Sequence, residues 1–133
     1  MLIIDTSVLL RILRDRGFFD KIKTKISDYK VTSITAYELL RAASYLELKG
    51  SSRELEILED LLRDTDIIPF TREDLKFSAR IWAKLKERGI EVSDAVIMIS
   101  AICLRSEEKL ITLERDFKYI KEIFKELDVE ILE

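Results

Sequence analysis

Short apolar runs alternate along this chain with longer amphipathic segments, and that alternation leaves few folds open to it. Leu2-Ile3-Ile4 reads as a strand that stops at Asp5, and Thr6 to Leu13 then repeats its apolar residues at helical spacing. Arg16-Gly17 breaks that segment, and Phe18 to Asp28 forms a second amphipathic one. Lys30 to Ile34 is strand-like, and Thr35 to Leu48 is a helix closed by Gly50. Ser51 to Arg63 is a helix with Leu55, Leu58, Leu61 and Leu62 on one face. Asp66 to Phe70 is a strand that Pro69 confines to a sheet edge or to its own last residues. Thr71 to Arg88 is a helix stopped by Gly89, and Ser93 to Arg105 is a strongly apolar one. Lys109 to Thr112 (strand), Arg115 to Leu127 (helix) and Val129 to Leu132 (strand) complete the order. Strands that alternate with helices predict an α/β fold around a mainly parallel central sheet. At 133 residues, without a linker or internal repeat, the chain is expected to form one domain, 1–133, around a single core.

What is missing narrows the chemistry. The chain has no histidine and one cysteine, which excludes Ser-His-Asp and Cys-His nucleophiles and histidine-ligated zinc. Any metal must therefore take oxygen ligands, which favours Mg²⁺ or Mn²⁺. Cys103 lies in the apolar run Ala95 to Leu104 and reads as a core thiol of a reducing compartment. That run is too short to span a bilayer, and Asp5 interrupts the apolar start that a signal peptide would need, so the expected location is the cytoplasm. Asn and Gln are absent while 37% of residues are charged, a balance that suits a thermophilic source. The net charge of −3 lends nothing to nucleic-acid binding, although two bound divalent cations would reverse its sign.

In a parallel sheet the chemistry lies beyond the carboxyl ends of the strands. Acids recur there. Asp5 follows the first strand, Glu38 lies early in the helix after the second, Asp94 opens the apolar helix, and Glu114 and Asp116 follow Leu110-Ile111-Thr112. Carboxylates gathered in one place repel one another unless protons or cations neutralise them. Each acid alone also has a structural explanation. Thr35-Ala36-Tyr37-Glu38 reads as a capping box, as do Ser51 to Glu54 and the acids after Thr71. Asp5 is harder to explain that way, because Thr6 is available to cap its helix. Asp94 sits against Ala95-Val96-Ile97, where an unpaired charge would be costly.

Ile3-Ile4-Asp5-Thr6-Ser7-Val8-Leu9-Leu10 resembles the opening motif of PIN-domain nucleases. Thr35-Ala36-Tyr37-Glu38-Leu39, Ser93-Asp94-Ala95-Val96-Ile97 and Leu110-Ile111-Thr112-Leu113-Glu114-Arg115-Asp116-Phe117 resemble the second, third and fourth. Four motifs in order cover nearly the whole chain, which is most similar in size to the VapC-type toxins of toxin–antitoxin pairs. The resemblance implies a three-layer α/β/α fold with a five-stranded, mainly parallel sheet. It also implies Mg²⁺- or Mn²⁺-dependent cleavage of single-stranded RNA, an antitoxin partner and a homodimer. It maps Asp5, Glu38 and Asp94 onto the metal-binding, catalytic acids, and Thr6, Ser7 and Thr112 onto positions that orient water or substrate. The fourth acid departs from the family's usual Asp or Asn, since Glu114 stands two residues after Thr112. Either Glu114 or Asp116 would fill that role.

Arg11 and Arg14, close after Asp5, are expected to contact RNA phosphates, as are Arg80 and Lys84 of the stripe Arg72, Lys76, Arg80, Lys84 and Arg88. The alternative for that stripe is a solvated helix face opposite Leu75, Ala79, Trp82 and Leu85. Tyr37, Tyr45 and Trp82 are expected in the core. Receiver-domain, dehalogenase-type, dinucleotide and P-loop readings fail for want of their acids or glycine loops. The remaining competitor is a non-catalytic domain of the same fold that binds RNA or protein.

Overall fold

Strand β1 (Leu2–Ile4) holds the centre of a five-stranded sheet in the computed structural model, which describes residues 1–133. β2 (Tyr29–Thr32) and β4 (Lys109–Thr112) flank it, β3 (Ile67–Ile68) lies outside β2, and β5 (Val129–Ile131) lies outside β4. All four pairings are parallel. The chain winds outward from β1 through β2 to β3, then crosses back to β4 and β5. The switch point therefore falls between β1 and β4, where Ile4 is in register with Ile111.

Alternate residues of these strands feed two cores on opposite faces, as the period of two requires. Ile3 and Leu110 belong to one, with Ile81 and Leu85 of helix α5 (Arg72–Glu87), Ile97 and Ile99 of α6 (Asp94–Ser106) and Phe117 of α7 (Phe117–Ile123). Ile4, Val31 and Ile111 belong to the other, beneath α1 (Thr6–Arg14), α2 (Arg16–Ile22), α3 (Ser33–Leu48) and α4 (Arg53–Arg63). The result is a three-layer α/β/α domain. No helix is long and apolar enough to cross a membrane.

Several elements differ from the sequence expectation. Gly17 does not separate the first two helices, because it lies inside α2. Asp15 does so: its N–H donates to the Arg11 carbonyl to end α1, and its carboxylate accepts from Phe18 N to start α2. Helix α2 then stops at Ile22 rather than running to Asp28. Helix α3 begins two residues before Thr35, with Thr32 as its N-cap accepting from Thr35 N at 3.2 Å. The Thr35/Glu38 capping box is therefore absent, and Glu38 loses the structural reason the sequence offered for it. Helix α7 ends at Ile123 instead of Leu127. Gly50 and Gly89 close α3 and α5 at φ +102° and +70°, the left-handed region that side chains disfavour.

Helix α5 shows the largest departure. Its buried face is Asp74, Ser78, Ile81 and Leu85, while Leu75, Ala79 and Trp82 are exposed. Asp74 is fully buried: one oxygen accepts from Arg105 Nε at 2.8 Å, and the other caps the helix by accepting from Thr71 N. Arg105 also donates to the Pro69 carbonyl, so this pair ties α6 to the turn between β3 and α5. Tyr37 and Tyr45 are likewise exposed rather than core residues.

Candidate active site

Asp5 directly follows β1 and is itself the N-cap of α1, a role expected of Thr6 from the sequence. Its side chain accepts from Val8 N at 3.2 Å, which satisfies one of the amides left open in a first helical turn. The same oxygen accepts from Ser7 Oγ at 2.6 Å, and the other accepts from Thr112 Oγ1 at 2.6 Å. These two hydroxyls are held in turn by the loop after β4: Leu113 N donates to Ser7 Oγ at 3.0 Å and Glu114 N to Thr112 Oγ1 at 2.8 Å. A rigid hydrogen-bonded unit thus spans the carboxyl ends of β1 and β4 at the switch point.

The Asp5 carboxylate is 3% exposed. Burial pushes its pKa above the ordinary aspartate value, the bonds from Ser7, Thr112 and Val8 pull it back, and the charge of Glu114 adds to the upward push. A buried carboxylate with a second acid beside it favours a neutralising cation.

Thr6, one residue on, turns to the neighbouring helix. Its hydroxyl donates to Glu38 Oε1 at 2.6 Å and lies 3.1 Å from the fully buried Thr35 Oγ1. Glu38 sits on the sixth residue of α3, past the capping turn, because the helix starts at Ser33. Asp5, Thr6, Ser7, Glu38, Ser93 and Glu114 line one cavity of about 240 Å³, together with apolar side chains of α1, α6 and α7.

The structure thus brings Asp5, Glu38 and Glu114 around a common space. It does not bring Asp94 or Asp116 into that lining. Asp94 is the first residue of α6 and is exposed, so it lacks the apolar contact that the sequence suggested. Ser93 and Ala95 on either side of it do line the cavity. Asp116 lies before α7, and its N–H donates to Glu114 Oε1 at 3.1 Å. Of the two candidates for the fourth acid, Glu114 is the one on the cavity.

The donors are all carboxylate and hydroxyl oxygens, the chemistry that hard divalent cations take. No three acids stand close enough to enclose one ion as the side chains lie. Glu38 is turned to Thr6, and Asp94 is exposed to solvent.

None of the four cations expected at the phosphates lines the cavity. Arg11 is paired with Asp15 at 3.1 Å and packs over the Phe18 ring, while Arg14 borders an apolar groove between α1, α3 and α4. Arg80 and Lys84 line a separate cavity of about 620 Å³ at the amino ends of β4 and β5, together with Glu107, Glu108, Glu126 and Asp128. The cation that does reach the site is Arg41, whose Nη2 lies 3.7 Å from Glu38 Oε2. The sequence contained that signal: residues three apart share a helix face.

These features define an α/β domain with an all-oxygen acidic site at the switch point of a parallel sheet. The chain belongs to the PIN domain family, whose model matches residues 2–123. No curated protein sequence matches it. Among solved structures it is similar to a chain of VapBC2 from Rickettsia felis bound to a promoter DNA fragment, with 17% identity, TM-score 0.80 and coverage of 99% of this chain and 98% of that one. It is also similar to a chain of DNA-bound VapBC from Salmonella typhimurium (20% identity, TM-score 0.79, 98% of each chain). A third similar chain comes from VapBC-5 of Mycobacterium tuberculosis, a VapBC toxin–antitoxin system (21% identity, TM-score 0.72, 98% and 96% coverage). At these identities the likeness is one of fold.

Proposed function

We propose that this protein is a divalent-metal-dependent endoribonuclease that cleaves single-stranded RNA and serves as the toxin of a toxin–antitoxin pair. The observation that carries the reading is Asp5: a carboxylate buried at the switch point, held by two hydroxyls, with Glu38 and Glu114 on the same cavity. A stabilising role alone does not explain a buried charge placed beside further acids. The PIN domain family and the fold shared with VapBC chains support the nuclease and the antitoxin partner.

In this proposal Asp5, Glu38, Asp94 and Glu114 hold Mg²⁺ or Mn²⁺, and Asp116 acts through its backbone contact with Glu114. When bound, the cation supplies an activated water and charge for the leaving oxygen of a phosphodiester. Ser7 and Thr112 fix both oxygens of Asp5, so the carboxylate is preorganised instead of being ordered during the reaction. Thr6 restrains Glu38 in the same way. The proposed setting is cytoplasmic, with a homodimer as the working unit.

The test is cleavage of a mixed single-stranded RNA by the purified chain in Mg²⁺, Mn²⁺ or EDTA, with Asp94→Asn in parallel. Metal-dependent cutting that disappears in the variant supports the enzyme and the site together. A well-folded protein that neither cuts RNA nor binds Mn²⁺ would instead be a non-catalytic module.

A further inference from the structure

The cavity acids pose an electrostatic problem for any RNA. Asp5, Glu38 and Glu114 all present negative charge to an incoming phosphate, and Asp94 stands exposed at the rim. Of the eight ion pairs in the molecule, one involves a cavity acid, and it is Arg41 on Glu38. We propose that Arg41 and Tyr37 form a grip for the RNA strand beside the cavity, Arg41 taking a phosphate and Tyr37 stacking under the adjoining base. The inference rests on the ribonuclease reading and names how that site would hold its substrate.

The geometry follows from α3. Tyr37, Glu38 and Arg41 occupy positions i, i+1 and i+4 of one continuous helix, so Arg41 lies one turn from Tyr37, on the side of Tyr37 that faces Glu38 and the cavity. The Arg41 guanidinium carbon lies over the Tyr37 ring, 5.3 Å from its centroid, so cation and aromatic are neighbours on the helix surface. Tyr37 is 59% exposed, so much of its ring surface is open to solvent. The Arg41 side chain is 60% exposed, and 3.7 Å is too long for a hydrogen bond to Glu38. Such a loose, solvated pair is readily exchanged.

That looseness is the useful property. Guanidinium matches a phosphate with two parallel N–H donors, a better partner than the distant carboxylate. When Arg41 turns from Glu38 to phosphate, Glu38 keeps its hydrogen bond from Thr6 Oγ1, so the exchange leaves the acid cluster in place. An exposed aromatic next to that arginine supplies a stacking face that tolerates any base. Arg11, Arg14, Arg80 and Lys84 offer no comparable link to the cavity.

The experiment is binding of a fluorescein-labelled single-stranded RNA of mixed sequence in EDTA, followed by anisotropy across a salt series. Mn²⁺ binding is measured in parallel by electron paramagnetic resonance. Arg41→Ala should weaken RNA binding and lower the magnitude of the salt slope by about 0.7, the contribution of one phosphate contact to a single strand. Arg41→Lys should keep the slope while recovering only part of the affinity, because lysine lacks the fork. Tyr37→Ala should weaken binding about tenfold without altering the slope. Both positions are exposed, so all three variants should bind Mn²⁺ and melt as the wild type does. Wild-type affinity and slope in Arg41→Ala and Tyr37→Ala, in a protein that does bind RNA, would overturn the grip and leave the nuclease standing. A wild type that binds no RNA and no Mn²⁺ overturns the ribonuclease reading, and the grip with it.

Discussion

Replacing Asp5 with asparagine exchanges one carboxylate oxygen for an amide at a position that is 3% exposed. The shape is kept, and asparagine caps a helix about as well as aspartate, so the Val8 N bond survives. Loss of charge at the α1 N-terminus forfeits roughly 0.3–1 kcal/mol of dipole interaction. Against that stands removal of a buried anion, whose desolvation costs several kcal/mol on the order-of-magnitude scale and is only partly offset by the hydroxyls of Ser7 and Thr112. The upward-shifted carboxyl shows that desolvation is the larger effect, and Glu114 repulsion adds to it. Without metal, Asp5→Asn should therefore be more stable than the wild type by about 1 kcal/mol at neutral pH. For 133 residues that is roughly 4 °C in Tm, taking about 2 cal/mol/K of unfolding entropy per residue.

Calorimetry in EDTA and in Mn²⁺ separates the contributions. The folded chain holds the Asp5 proton more tightly than the unfolded chain does, since burial lifts that pKa. Metal-free wild type should therefore lose stability relative to Asp5→Asn as pH rises from about 4 through the lifted value, and the difference should be constant above it. With Mn²⁺ at a hundred times its Kd the wild type should gain about 2.7 kcal/mol and overtake the variant, which gains little. An asparagine variant that is less stable than the wild type by 2 kcal/mol or more in EDTA would refute the reasoning. Asp5 would then be a structural cap whose hydrogen bonds outweigh its burial.

The buried pair Asp74–Arg105 should behave asymmetrically. Arg105→Met strands a carboxylate that is 0% exposed and should cost about 3–5 kcal/mol, whereas Asp74→Ala leaves an arginine that can reach water and should cost about 2 kcal/mol. Urea unfolding of the two variants checks the order, and an equal or reversed ranking would count against it. At the fourth acid, Glu114→Gln should reduce cleavage at least tenfold, since it removes a charge from the cavity. Asp116→Asn should keep most activity, because the contact of Asp116 with Glu114 is made by its backbone N–H. Initial rates in Mn²⁺ decide between them.

Part of the layout of the candidate site was legible in the chain. Asp5 and Glu114 follow apolar strands directly, and a strand end in a parallel sheet has only one edge to go to. Glu38 was visible as a residue but not as a conformation. The sequence offered Thr35 as its cap, while the structure starts the helix at Thr32 and leaves Glu38 facing Thr6. Local pattern could not choose between two threonines three residues apart, because either can accept an amide hydrogen bond. The positions of the basic residues were not legible for a related reason. Arg11 and Arg14 are near Asp5 in sequence but do not line the cavity, because a helix carries successive residues around its axis and away from the strand end.

By itself the sequence determined the alternation of strand and helix, the two apolar faces of each central strand and the oxygen-only chemistry of the site, since all three depend on residue type and period. Tertiary structure alone decided which acids share a cavity, which cation touches them, and which apolar and charged positions of α5 are buried. Those outcomes depend on packing between segments as far apart as Asp5 and Thr112, or Asp74 and Arg105. A hydrogen bond across that separation leaves no periodic trace in the chain. Burial then sets the energy of each charge, and burial exists only once the layers have closed around it.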